Sequence, residues 1–113
     1  MSVIIELSIF PTDKGVSVSP YVARALDIIR ESGLPYVLTP MATCIEGQWP
    51  AVMAVVDRCF KNLATDCDRV YLTLKADYRK GRTGGLHRKI ASAEKKSSAA
   101  STDGRLDGRE PLV

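Results

Sequence analysis

The sequence predicts an α+β fold in which one antiparallel sheet of four strands carries two helices on one of its faces. Short stretches of alternating apolar and polar residues indicate half-buried strands, and two longer stretches have apolar residues at helical spacing. Along the 113-residue chain these stretches follow the order β-α-β-β-α-β. That order is typical of the split βαβ arrangement, the ferredoxin-like sandwich.

The first predicted strand runs from Val3 to Phe10. Successive side chains of a strand point to opposite faces, so the alternation gives this strand one apolar face. The other face carries a carboxylate, a hydroxyl and an aromatic ring, contributed by Glu6, Ser8 and Phe10. We expect these three away from the helices, where they suit a flat, positively charged heterocycle. The alternative is a polar sheet face buried against another subunit.

Two amphipathic helices are predicted. The first begins at Ser19-Pro20, a capping residue followed by a proline that suits the first turn, and ends at Gly33. Its predicted buried stripe consists of Val22, Ala25, Leu26 and Ile29. The second helix begins at Pro50 and ends near Cys67. Its predicted buried stripe consists of Val52, Met53, Val56, Cys59, Phe60 and Leu63.

Two short strands are predicted between the helices, at 36–39 and 42–46, with Pro40-Met41 between them. They form either a hairpin or one bent ribbon with the proline at an edge or bulge. This segment supplies four candidate ligand-binding residues, which are Tyr36, Thr39, Thr43 and Glu46. Glu46 has two interpretations of about equal weight. It either caps a nearby helix N-terminus, which the helix dipole favours, or meets a cationic ligand.

The last predicted strand, 69–75, completes a ligand-binding domain over residues 1–78. Residues 79–96 are expected to form a basic linker and a short helix that packs on the domain or on a neighbouring subunit. Residues 97–113 are expected to be a disordered tail, because Ser, Ala, Asp and Gly dominate there. Residues 69–113 carry eleven Lys/Arg and five Asp/Glu, but no aromatic residue follows position 78, so we expect a solvated tail and no nucleic-acid partner.

No pattern of residues points to catalysis, a metal or a cofactor. The single histidine, His87, lies among basic residues, and a general base needs partners. The spacing of Cys44, Cys59 and Cys67 fits neither a disulfide framework nor a metal site, so free thiols are expected. The N-terminus has no basic leader, and no apolar run approaches the ~20 residues of a membrane helix. We therefore expect a cytoplasmic protein that is not an enzyme.

The segment Thr39-Pro-Met-Ala-Thr-Cys-Ile-Glu-Gly47 resembles the thiamine-binding protein family of small stand-alone domains. Further landmarks agree in order and spacing, and these are Leu7-Ser-Ile-Phe-Pro11, Ser19-Pro-Tyr-Val-Ala23, Ser32-Gly-Leu34 and Val52-Met-Ala-Val-Val56. The resemblance covers about residues 3–96. It departs at Ala42, where the family commonly has glycine.

The resemblance implies a ferredoxin-like, non-catalytic protein that binds thiamine or its hydroxymethylpyrimidine part and serves thiamine transport, salvage or sensing. It also implies dimers or tetramers assembled through their sheets, with the ligand at a subunit interface. Thiamine chemistry then gives each candidate residue a role. Glu46 or Glu6 offsets the thiazolium charge, a hydroxyl of Ser8, Thr39 or Thr43 binds the pyrimidine, and Phe10 or Tyr36 stacks on it. The alternative is an oligomeric regulatory or protein-interaction module without a thiamine ligand.

Overall fold

The computed structural model describes residues 2–81 and 84–101 of the chain. Within them the elements are β1 (Ser2–Pro11), α1 (Ser19–Glu31), β2 (Tyr36–Leu38), β3 (Thr43–Gln48), α2 (Trp49–Ala64), β4 (Val70–Tyr78) and α3 (Gly85–Ser101). The first six elements have the predicted β-α-β-β-α-β order. β2 and β3 pair as an antiparallel hairpin, which is one of the two predicted alternatives.

The four strands form one sheet in the order β2-β3-β1-β4, and every neighbouring pair is antiparallel. This is the strand order of the ferredoxin-like sandwich, so the predicted fold is confirmed. The two central strands align Ile5 with Ile45, and both side chains are fully buried. The short edge strand β2 pairs Leu38 with Thr43 next to the hairpin loop.

The hydrophobic core lies between α1 and α2 and one face of the sheet. Alternate residues of β1 supply it, as the polarity pattern predicted, and they are Val3, Ile5, Leu7 and Ile9. The predicted stripe of α1 was wrong in part. Ile28 is buried there, whereas Val22 is 36% exposed. In α2, similarly, Val55 is buried and Phe60 is exposed, because the sheet contacts a face rotated slightly from the predicted one.

Polar contacts tie the β1–α1 loop and the two helices together at one end of the sheet. Arg24 of α1 donates to both carboxylate oxygens of Asp66, at 3.0 and 2.9 Å, and to Asn62 at the end of α2. This guanidinium lowers the pKa of the Asp66 carboxyl. In the loop, the carboxylate of Asp13 accepts the backbone N–H of Asp68 at 2.7 Å, and that bond lowers the pKa of Asp13.

The third helix begins against the opposite face of the sheet. Glu46 lies on that face, because its neighbour Ile45 points into the core. The carboxylate of Glu46 accepts backbone N–H groups from the start of α3. The helix extends to Ser101, whereas the sequence analysis expected a disordered tail from residue 97. Residues 102–113 of that predicted tail lie outside the described residues. Nowhere in 2–81 and 84–101 is a helix long and apolar enough to cross a membrane.

Candidate ligand-binding pocket

A pocket of about 250 Å³ opens between α1 and the sheet, at the end where the β2–β3 loop lies. Its floor is the 7–10 segment of β1, one wall is α1 with the residue before it, and the other wall is the 38–43 segment. The fold explains this position. β2 is only three residues long, so the chain leaves the sheet after Leu38 and the turn that follows borders the pocket.

The lining of the pocket is apolar apart from two side-chain hydroxyl groups. Thr39 and Thr43 supply them, and no charged residue is among the lining residues. Ser8 also borders the pocket, but its side chain alternates with the buried Leu7 and Ile9 and points to the opposite face of the sheet. Such a pocket resembles ligand sites generally, which are mostly apolar with a few polar groups that fix orientation. Burying an unpaired charge here would be costly, so the lining favours an uncharged group.

Thr43 is the polar group that stands out. Only 7% of the residue is exposed, yet its hydroxyl has no hydrogen-bond partner within the described part of the chain. Buried polar groups are almost always hydrogen-bonded, and an unpaired one destabilises the fold. Its side chain lies on the core face of β3 and lines the pocket. The hydroxyl is therefore available to donate to, and accept from, a bound molecule.

Four of the seven candidate residues from the sequence border this pocket, and they are Ser8, Phe10, Thr39 and Thr43. The side chains of Ser8 and Phe10, however, point to the opposite face of the sheet, because they alternate along β1 with residues of the core. The ring of Phe10 also packs edge-on against Tyr71 of β4, with the centroids 5.6 Å apart. Phe10 therefore already has an aromatic neighbour before any ligand arrives.

The other three candidates, Glu6, Tyr36 and Glu46, are not among the lining residues, and each has another partner. Glu46 is only 4% exposed, and its carboxylate accepts the N–H of Gly85 at 2.7 Å and that of Leu86 at 3.2 Å. Glu46 therefore caps a helix N-terminus, which is one of its two predicted roles, but the capped helix is α3 and not the adjacent α2.

The partners of Glu6 and Tyr36 also lie away from the pocket. Glu6 pairs with Lys75 on the exposed sheet face, with 3.6 Å between Oε1 and Nζ. The hydroxyl of Tyr36 accepts a hydrogen bond from Nε of Arg30 at 3.1 Å. Among the residues that the structure describes, therefore, no carboxylate faces the pocket to offset a cationic ligand.

Sequence reasoning missed the contribution of α1 to the pocket. Val22 and Leu26 were assigned to the core stripe, but in the structure they line the pocket. A signal was present in the sequence, because 22, 25, 26, 28 and 29 are all apolar and form a stripe wider than one sheet contact requires. The exposed side chain of Met41 at the pocket was also missed.

The remaining reactive groups form no second centre. All three cysteines are free thiols, and burial raises the pKa of Cys44, of Cys67 and of Cys59, the last to about 11. At neutral pH these thiols are protonated and poor nucleophiles. In the described ranges, no group of three or more His, Cys, Asp or Glu residues is placed to hold a metal ion.

Comparison with known proteins places this chain within a family. The model of the family described as thiamine-binding protein matches residues 5–94. The UPF0045 protein Mb1933 of Mycobacterium bovis is 38% identical over 96 residues, which cover 84% of this chain and 94% of the relative.

Solved structures show the same fold. The crystal structure of MJ1052 from Methanocaldococcus jannaschii matches with a TM-score of 0.77 at 31% identity, and covers 82% of this chain and 96% of that one. The structure of TM0486 from Thermotoga maritima matches with a TM-score of 0.74 at 22% identity, over 82% of this chain and 99% of that one. At that identity the second match supports the fold alone.

Proposed function

The chain belongs to the thiamine-binding protein family, and on that premise we propose that it binds thiamine, or the pyrimidine part of it, in the pocket beside α1. Membership gives the chain a thiamine-related role with a small-molecule ligand, and the family is named for binding and not for a reaction. The observation that carries the proposed location is Thr43, a buried hydroxyl without a partner in the described chain, at the wall of an otherwise apolar pocket.

The lining favours the pyrimidine as the part that enters. An aminopyrimidine is flat and uncharged, and its edge presents both donors and acceptors to a hydroxyl such as that of Thr43. The thiazolium carries a permanent positive charge, which an apolar pocket without a carboxylate excludes. A volume of about 250 Å³ is also below the roughly 300–1,000 Å³ of most ligand sites, so one substituted ring fits best. We therefore propose that the thiazolium stays at the solvent-exposed opening.

We propose that binding needs only one chain, while a second copy packs elsewhere. Residues of this chain supply the floor and both walls of the pocket, which lies on the sheet face that the helices cover. The opposite face exposes Tyr71, a residue that is 57% exposed, beside Phe10. A homo-oligomer built through that face leaves the pocket open, which differs from the interface site expected from the resemblance. Such a protein serves thiamine transport, salvage or sensing by holding the ligand unchanged.

Isothermal titration calorimetry with thiamine and with hydroxymethylpyrimidine tests this function. The wild type is expected to bind both, and Thr43→Val is expected to weaken both about tenfold, since one buried hydrogen bond is lost without a change of shape. Thr73→Val is the matched control, because Thr73 is exposed on β4 and outside the pocket. Mass spectrometry of the recovered ligand should show no chemical change.

Two results would count against the proposal. Failure of the folded wild type to bind either compound would favour the interaction-module alternative. Equal losses of affinity in the Thr43 and Thr73 variants would show that the ligand binds elsewhere.

A further inference from the structure

The side-chain hydroxyl of Thr39 stabilises the turn that closes the β2–β3 hairpin. Across the turn, the N–H of Thr39 donates to the carbonyl oxygen of Ala42 at 2.9 Å. The hydroxyl of Thr39 donates to the same carbonyl oxygen at 2.8 Å and accepts the N–H of Ala42 at 3.1 Å. Three hydrogen bonds therefore join the first and last residues of a four-residue turn.

The hydroxyl takes the place that a backbone carbonyl has in most turns. In a β-turn the N–H of the fourth residue usually donates to the carbonyl of the first, whereas here it donates to Oγ1 of Thr39. Side-chain hydroxyls of this kind mimic the backbone and fix local conformation. The only proton of the Thr39 hydroxyl is already donated to Ala42, so it is not available to donate to a ligand.

The same turn forms one wall of the pocket. Every residue from Thr39 to Thr43 is among the lining residues. Met41 lies inside the turn and is 84% exposed, so a large flexible apolar side chain stands at the pocket without packing on the protein. Thr43 follows the turn directly and begins β3. The conformation of the turn therefore sets the positions of both Met41 and the unpaired Thr43 hydroxyl.

We infer that Thr39 is a positioning residue of the pocket. It acts on the ligand through Met41 and Thr43, by holding the turn in its binding geometry before the ligand enters. The benefit is preorganisation, because a turn that is already ordered loses little conformational freedom on binding. This inference rests on the proposed function and assigns Thr39 a different role from the direct ligand contact expected from the sequence.

The test combines two substitutions at Thr39 with one elsewhere. Thr39→Val keeps the shape of the side chain and removes the hydroxyl, whereas Thr39→Ser keeps the hydroxyl. Thr65→Val is the matched control, since the Thr65 hydroxyl donates to the carbonyl oxygen of Asn62 at 2.7 Å and does not line this pocket. Calorimetry with thiamine and hydroxymethylpyrimidine gives affinities, and NMR hydrogen exchange of the ligand-free proteins gives the protection of the Ala42 amide.

The expected results separate positioning from direct contact. In Thr39→Val, affinity for both compounds should fall about fivefold to tenfold, which corresponds to the cost of ordering one or two side chains. The Ala42 amide should exchange faster in that variant, and the melting temperature should change little, because the bonds of Thr39 are solvent-exposed. Thr39→Ser and Thr65→Val should bind within about twofold of the wild type.

Three results would overturn the inference. Wild-type affinity in Thr39→Val would show that the turn needs no hydroxyl to hold the pocket. Weaker binding with unchanged protection of the Ala42 amide would show that Thr39 contacts the ligand directly. A wild type that binds neither compound would overturn the proposed function and this inference together, and calorimetry of the wild type alone identifies that case.

Discussion

At the scale of single residues, Thr43 occupies a position where stability and binding are opposed. A buried hydroxyl without a partner costs free energy in the empty protein, and a residue of the same shape without the hydroxyl avoids that cost. Retaining such a group is understandable if a ligand pairs with it, because binding sites commonly sacrifice stability for function. Thr43 differs in this respect from the fully apolar Ile45 two residues further along β3.

Thr43→Val should raise the free energy of unfolding of the ligand-free protein by about 1 kcal/mol, since it removes an unpaired buried hydroxyl and keeps the volume. Urea denaturation measures this change. Thr73→Val, at an exposed position of β4, should stay within about 0.5 kcal/mol of the wild type. A loss of stability in Thr43→Val would show that the hydroxyl has a partner in the empty protein.

Cys59 should make the protein sensitive to alkaline pH. Burial raises the pKa of its thiol from 9.0 to about 11, so the unfolded state loses this proton first and the folded state is disfavoured as pH rises between these values. Stability from this group is present below pH 9 and lost by pH 11, a difference of about 2 kcal/mol. In Cys59→Ala, which is less stable at every pH, the fall in unfolding free energy between pH 9 and 11 should be smaller. Denaturant titrations that show the same fall in both proteins would contradict this assignment.

At the scale of elements, the docking of α3 depends on one buried carboxylate. Glu46 accepts two backbone N–H groups at the N-terminus of the helix, where the helix dipole also favours a negative charge. The sequence placed Glu46 near a helix N-terminus, but it could not reveal that the helix lies 39 residues further along the chain.

Glu46→Gln should loosen the start of α3, because the neutral amide offers one acceptor oxygen where the carboxylate offers two. NMR exchange of the Gly85 and Leu86 amides should become faster, while affinity for thiamine stays within about twofold, since Glu46 does not line the pocket. Glu6→Gln, on the same sheet face but paired with Lys75, is the control and should leave both amides unchanged. A large loss of thiamine affinity in Glu46→Gln alone would restore the role expected from the sequence.

Local patterns in the sequence predicted most of the fold. The alternation in β1 and the apolar spacing in the helices predicted the six elements, because burial of one face leaves a period in the sequence. The sequence did not predict correctly which face of α1 contacts the sheet, because the apolar stripe of this helix contributes to both the core and the pocket. The pocket itself depends on contacts between 7–10, 18–29 and 38–43, which are distant in sequence and leave no periodic pattern. Thr39 and Thr43 were nevertheless predicted from residue chemistry, whereas the side chains of Ser8 and Phe10 lie on the opposite sheet face.

At the scale of the whole molecule, the two sheet faces have different tasks. One face is covered by α1 and α2, which also shape the pocket, and the other is covered near Glu46 by the start of α3. The rest of that second face presents the rings of Phe10 and Tyr71 and the Glu6–Lys75 pair. Exposed aromatic rings on a sheet face are typical of a surface that packs against another protein chain.

Sedimentation velocity should show a dimer or a larger assembly of the wild type, and Tyr71→Lys should shift it towards the monomer, because a charge replaces an exposed aromatic ring of the second face. Phe60→Lys is the matched control, since Phe60 is equally an exposed ring but lies on α2. Dissociation by the Phe60 substitution alone would locate the interface on the helices. A monomeric wild type would contradict self-association altogether.

An NMR titration of the ¹⁵N-labelled protein with hydroxymethylpyrimidine determines where the ligand binds. The predicted result is that shifts of backbone amide signals concentrate in 7–10, 18–29 and 38–43, with small changes at Glu6, Gly85 and Leu86. Shifts concentrated on the second sheet face, around Glu6, Cys44 and Glu46, would contradict the account and place the ligand where the sequence alone had suggested.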